Sequence, residues 1–419
     1  MKNYKYLWEN DLFFPTAMWL FSRCFIFITM LLIAPLLPAP PDGIKATVDL
    51  GVFAAWDTGW YHSIVTNGYQ YGTDGQPYSV AFFPLFPLFV RIVMNLGLSF
   101  ELAGILVNNL AFLGALIVLF TWMKERHGIT RARWGTAVLA WCPLSLFGTV
   151  IYTEGVYLLF STAALRAFDK KQYLWTAIWG TCATMSRPTG IALVPAFVFA
   201  VWKERRGAIA LLASLAAGGG LFIYSMYCLL RFDDALAFVN AQKAWRPSLG
   251  FDWPRWWKMI VQIVAGTANW KAGYIVDPWH PLIFVLIMVC GYLLWHFRSK
   301  VGRTKLDYGL GALAFFLWLL AGDPLTNAVM VFGGIYLLWR LRAELRFITV
   351  AYGFCGIGLL LASGGTISLN RLAYGIVSLS IGLGLLIARY PRWGYMVMGF
   401  FLLLLTSFSI RFAQDLWVA

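Results

Sequence analysis

Apolar runs long enough to cross the ~30 Å hydrocarbon core of a bilayer recur from residue 15 to residue 410, separated by short connections. At membrane depth every backbone N–H and C=O must find its partner inside the protein, so only helices or a closed barrel can span. The runs do not alternate with a period of two, which excludes a barrel and leaves helices. Charged residues make up 12% of the 419, against ~25% in an ordinary soluble domain, and hydrophobic residues make up 60%. The expected fold class is an all-α polytopic membrane protein.

Charge orients the runs. The net charge of +14 resides in short connections: "KERHGITRAR" (124–133), "RAFDKKQ" (166–172), "KERRG" (203–207), "RSKVGRTK" (298–305), "RLRAELR" (340–346) and "RYPR" (389–392). The positive-inside rule puts all six in the cytoplasm and explains the basic balance without a nucleic-acid partner. Segment 38–78 carries Asp42, Asp49, Asp57 and Asp74 against Lys45 and belongs outside; the mixed, Trp-rich 231–256 follows by parity.

The run 15–37 goes out and 101–123 returns. The double runs 134–168 and 173–202 turn outside, near Thr149–Glu154 and 186–190. Further spans fit 208–230, 279–297, 306–322, 325–340, 347–362, 372–388 and 394–410, giving thirteen crossings within a range of eleven to fourteen. Segment 80–97 stays on the outer side as a re-entrant piece, because the prolines of "AFFPLFP" remove backbone donors; 257–277 is a second such piece.

We read residues 1–419 as one membrane domain, with 38–100 as a first and 231–278 as a second outer region. The N-terminal "MKNYKYLWENDLFF" lacks a small-residue cleavage site, so the first apolar run is expected to remain as a span. The six cysteines lie in or beside apolar runs without paired spacing and read as packing residues.

Parity brings Asp57, Glu154, Arg187, Lys243, Asp277, Asp323 and Arg371 to one face. Asp57, in "AAWDTGWYH", can cap a helix or act as a general base in a partly apolar site. Trp56, Trp60 and Tyr61 offer flat faces to an interface or a sugar ring. Glu154 is either solvated just outside the membrane or an intramembrane carboxylate with a function. Arg187, in "TMSRPTG", and Arg371, in "SLNRLAYG", either snorkel to water or hold a phosphate in the guanidinium fork. His62 is either a solvated interfacial histidine or a donor to phosphate. No HExxH, CxxC, DxD or Walker A pattern appears, so no metal, cofactor or ATP hydrolysis is expected. "AAGGGLF" (216–222) reads as close helix packing.

"WDTGWYHSIVTNGY" followed by "AFFPLFP" resembles the first outer loop of the PIG-V family, GPI mannosyltransferase II, within the GT-C superfamily of membrane glycosyltransferases. "CPLSLFGTVIYTEGVYLLF" (142–160), "TMSRPTG" (184–190) and "NAQKAW" (240–245) agree in order, and "NRLAYG" is a fainter echo. The resemblance implies a GT-C-type helical bundle with juxtamembrane or re-entrant helices in the first outer loop. It implies an inverting, metal-independent transfer of mannose from a polyprenyl-phosphate donor to a lipid or glycan acceptor on the outer face.

The resemblance makes Asp57 the base. Beside it, the residues themselves suggest Arg187, Arg371, Lys243 and His62 for the donor phosphate, and Trp56, Trp60, Tyr61, Tyr152, Glu154, Gln242 and Trp245 around the substrates. Cys142 and Thr189 stand where the family tends to have Asn, and long lumenal loops are missing. These departures suggest a compact prokaryotic relative in the plasma membrane. The rival reading is a transporter or lipid flippase using Glu154 and Asp323; another is a GT-C enzyme for a different lipid-linked sugar.

Overall fold

In the computed structural model of the chain, residues 11–246 and 250–418 are described; the expectation for the extreme N-terminus falls on residues 1–10 and lies outside them. Among the described residues all regular structure is helical, apart from one isolated bridge between Gly250 and Ser363. The all-α membrane fold is as expected.

Among the described residues, five helices are long and apolar enough to span a bilayer: Phe13–Leu36, Phe100–His127, Trp279–His296, Arg303–Ala321 and Pro391–Ala413. Most other expected crossings fold as shorter helices, among them Ile129–Trp141, Glu154–Asp169, Tyr173–Ser186, Leu193–Glu204, Phe347–Ala362 and Val377–Arg389. They are short for a physical reason. The two double runs spend their middles on turns, at 142–153 and 187–192. The expected single span 208–230 is instead two helices, Ala208–Ala216 and Gly219–Phe232, bent by 43°. The glycine run explains the break, since each glycine weakens a helix by ~1 kcal/mol relative to alanine. It also permits contact, because a Cβ on Gly220 would lie 2.2 Å from the carbonyl oxygen of Thr181. Segment 80–97 contains the short helix Leu85–Met94, which starts after Pro84, buries Leu85, Phe86 and Val90, and exposes Leu88 and Ile92.

Most of the basic connections touch one another. Asp169, buried, accepts from Trp122 Nε1 (2.9 Å), Arg126 Nε (2.7 Å) and Arg346 Nε (3.0 Å). Glu125 takes Arg166 (3.0 Å) and Lys170 (2.8 Å), Arg206 stacks on Phe168, and Arg389 pairs with Glu344. Five of the six basic connections thus meet in one contact network. All six cysteines are free.

The turn 142–153 brings non-helical backbone into the bundle, and three buried side chains satisfy it. Arg23 donates to Ala140 O (3.1 Å), Ser145 O (2.8 Å) and Thr149 Oγ1 (2.7 Å). Asn108 Nδ2 donates to Phe147 O (2.7 Å) and Val150 O (2.6 Å), and Asn109 Nδ2 to Thr149 O (3.0 Å). Such wiring is what irregular backbone needs at this depth. Asn108 Oδ1 also accepts from the amide of Gly155 at 2.8 Å. A Cβ on Gly155 would fall 2.3 Å from the Asn108 carbonyl oxygen, so glycine lets this helix start nest against Phe100–His127. That contact fixes the position of Glu154.

Candidate active site

Asp57 sits at the N-cap position of helix Thr58–Asn67, yet its side chain makes no capping bond. Its backbone is already helical, with φ −61° and ψ −17°, whereas a capping residue usually has extended dihedrals that aim its oxygen at the first amides. Trp56 just before it has φ +57°, and Ser368, ahead of the short helix Leu369–Tyr374, has φ +54°. Non-glycine residues in this region cost ~1–3 kcal/mol each and gather at functional sites. These two turns deliver the two partners of one ion pair: Arg371 Nη1 donates to Asp57 Oδ2 at 2.8 Å. Among the described residues Oδ1 of Asp57 has no hydrogen-bond partner.

A second pair adjoins the first. Glu154, the first residue of its helix and 1% exposed, accepts from Arg187 Nη1 at 2.7 Å. Pro188 disfavours helix at the residue before it, and Arg187 is accordingly extended (φ −156°, ψ 146°), ending helix Tyr173–Ser186. Arg371 Nε lies 3.5 Å from the same Glu154 oxygen, so one arginine links both carboxylates. Glu154 Oε2 is buried without a hydrogen-bond partner. Burial opposes the charge on Arg371, but the carboxylates of Asp57 and Glu154 outweigh it and hold its pKa above the usual arginine value.

Tyr152 ties the pairs to the turn. Its hydroxyl accepts from the Asp57 amide (3.1 Å) and donates to Ala55 O (3.3 Å), and the Arg371 guanidinium lies over its ring and that of Phe147. Burial first, and then the Asp57 charge, push the Tyr61 and Tyr152 phenols upward, keeping both protonated. Trp60 stacks on Phe82 and meets Trp245 edge-on, both at 5.8 Å, and Gln242 Nε2 donates to Ala81 O at 3.0 Å. Trp56 packs edge-on against Trp417 and is 44% exposed.

The contacts therefore unite Asp57, Tyr152, Glu154, Arg187 and Arg371, with Trp60, Tyr61, Gln242 and Trp245 forming an aromatic wall beside them. They do not draw in Lys243 or His62. Lys243 Nζ donates to Asn240 Oδ1 (2.9 Å), beside the Tyr71–Asp234 hydrogen bond, and His62 packs edge-on against Phe100. Arg246 and Arg255 escaped the sequence reading. Arg246 donates to Ser363 Oγ and to Ile367 O (2.9 Å), and Arg255 pairs with Asp252 (3.1 Å). Arg246 directly follows "NAQKAW", and its place in the Trp-rich segment 231–256 was the available signal.

Fold and site together define an integral membrane protein with a buried arginine–carboxylate network beneath an aromatic wall. Residues 14–213 match the family Mannosyltransferase (PIG-V), which bears out the resemblance carried by the motifs. The matched segment includes Asp57, Tyr152, Glu154 and Arg187; Arg371 lies beyond it. No curated protein matches the chain. Among solved structures, the chain is similar to the Archaeoglobus fulgidus oligosaccharyltransferase complex with Zn and sulfate, at 13% identity and a TM-score of 0.45, covering 95% of this chain and 53% of that one. It is also similar to the oligosaccharyltransferase AglB of the same organism, in complex with an inhibitory peptide and a dolichol-phosphate, at 11% identity and a TM-score of 0.46, covering 94% and 56%. The chain spans about half the length of these structures.

Proposed function

We propose that this protein is a membrane glycosyltransferase of GT-C type that moves a mannosyl residue from a polyprenyl-phosphate donor to a hydroxyl of a lipid or glycan acceptor. The family match and the Asp57–Arg371–Glu154–Arg187 network support the reading. The observation that carries it is the Asp57 carboxylate: denied its capping role, held through one oxygen and free at the other, among tryptophans.

In the proposed reaction the acceptor O–H gives its proton to Asp57 as its oxygen bonds to the sugar C1. The bond from C1 to the phosphate oxygen breaks, and the phosphate leaves with the electron pair. Attack opposite the leaving group inverts the anomeric centre. The leaving group is a stable anion and needs no general acid; it needs cations, and the arginines supply them. The partly apolar helix Leu85–Met94 offers a surface for the prenyl chain.

The best test is a donor panel: purified protein, membrane lipid extract, and labelled mannose, glucose or arabinofuranose on polyprenyl phosphate. Transfer from the mannosyl donor is the expected result. Absence of transfer from every donor, with uptake into vesicles instead, favours the transporter. The mechanism assigns the carboxylates of Asp57 and Glu154 to arginines rather than to a metal, so transfer is expected to persist in EDTA. Strict dependence on Mn²⁺ or Mg²⁺ contradicts it.

The positive-inside rule supports an active site on the outer face of the plasma membrane. Cysteines introduced near Asp57 are expected to react with an impermeant reagent in intact cells, and those near Arg126 only after permeabilisation. Labelling of both from one side overturns this orientation.

A further inference from the structure

The site holds more positive charge than its own carboxylates neutralise. Asp57 and Glu154 balance Arg371 and Arg187, and Asp252 balances Arg255. Arg246 is left over: its contacts are a hydroxyl and a carbonyl, and among the described residues no carboxylate pairs with it. Burial, followed by the charges of Arg371, Arg255 and Arg187, lowers its pKa to about 10. Nη1 of Arg255 is buried without a hydrogen-bond partner, and Nε of Arg371 faces only Glu154 Oε1, at 3.5 Å. The turn between them contains Gly364 and Gly365, and a Cβ on Gly365 would lie 3.0 Å from Arg255 Nη1 and 3.5 Å from Arg246 Cγ. The backbone of 363–367 thus closes directly on both arginines. A half-buried cation without a counter-charge and a buried donor without a hydrogen-bond partner are costly arrangements, and an anionic ligand relieves both.

We propose that Arg246, backed by Arg255 and the 363–367 turn, is the principal seat of the donor's phosphate, with Arg371 bridging it to Asp57. This rests on the glycosyltransferase reading and alters its assignment of parts. Arg187, already committed to Glu154, becomes a positioning residue for that carboxylate, and Lys243 lies outside the seat.

The test is equilibrium binding of labelled farnesyl phosphate to the purified full-length protein, with farnesol as the uncharged control. Wild type is expected to bind the phosphate and discriminate against farnesol. Arg246→Gln is expected to weaken phosphate binding about 10–100-fold, the scale of lost hydrogen bonds to a charged group. Arg246→Lys, which keeps the charge but not the fork, should recover part of that loss.

Arg246 also staples its loop to Ser363, so a purely structural role must be separated. Ser363→Ala removes one of the two contacts that tie Arg246 to its turn, keeps the cation and the Ile367 contact, and should lose much less affinity than Arg246→Gln. Equal binding by Arg246→Gln and wild type overturns the proposal. So does a loss in Ser363→Ala as large as in Arg246→Gln, or equal affinity of wild type for farnesol. Mannosyl transfer by wild type, measured in parallel, reports on the glycosyltransferase reading itself and is independent of where the phosphate sits.

Discussion

Asp57→Asn is expected to lower turnover about 10²–10⁴-fold, the range for loss of a positioned general base. The substitution keeps the shape of the side chain and removes its ability to hold a proton. Donor affinity should persist, because the change removes negative charge next to Arg371 and leaves the arginines in place. The fold should tolerate it, since Asp57 is partly exposed and makes no capping bond. Separate measurement of turnover and donor binding checks both statements. Glu154→Gln is the informative companion. If Asp57→Asn transfers sugar at a near-normal rate and Glu154→Gln is inactive, the base is Glu154 and Asp57 serves the turn.

The second large effect is on stability. Arg187→Met should destabilise the protein by about 3–5 kcal/mol, because it leaves the buried carboxylate of Glu154 without its main partner. Arg371, 3.5 Å away, compensates only in part. The double variant Glu154→Gln/Arg187→Met removes both charges and should regain most of the stability. Unfolding of the four proteins in detergent gives the coupling directly. Additive losses, with no recovery in the double variant, would mean that the pair is not the anchor of this turn.

How far this site could be read from sequence differs residue by residue, for physical reasons. Charge parity along the chain brought Asp57, Glu154, Arg187 and Arg371 to one end, because membrane crossings leave few ways to arrange acidic and basic connections. Arg187 falls in the turn expected at 186–190, and Pro188 accounts for its extended backbone, since a proline constrains its predecessor. The glycines at 218–220 indicated close helix packing but not the 43° bend, which depends on what the helix packs against.

The two readings of Asp57 could be separated only by its dihedrals, which no residue pattern specifies. Lys243 and His62 fit the charge logic and still point elsewhere, because side-chain direction depends on loop geometry. Arg246 was missed because its importance comes from having no counter-charge, and counter-charges are set by tertiary contact. Arg23 should have been flagged: an arginine inside the first apolar run is expensive in a membrane and marks a partner. That partner proved to be a ring of carbonyl and hydroxyl groups rather than an acid.

The most direct test of the central claim follows the label from polyprenyl-phosphate mannose in a single turnover with acceptor lipids present, for wild type and Asp57→Asn side by side. The account predicts that wild type moves the label into a new glycosidic product of inverted anomeric configuration, while Asp57→Asn binds the donor and leaves the label on it. Transfer at equal rates by both proteins, or a product that retains the donor's configuration, would contradict it.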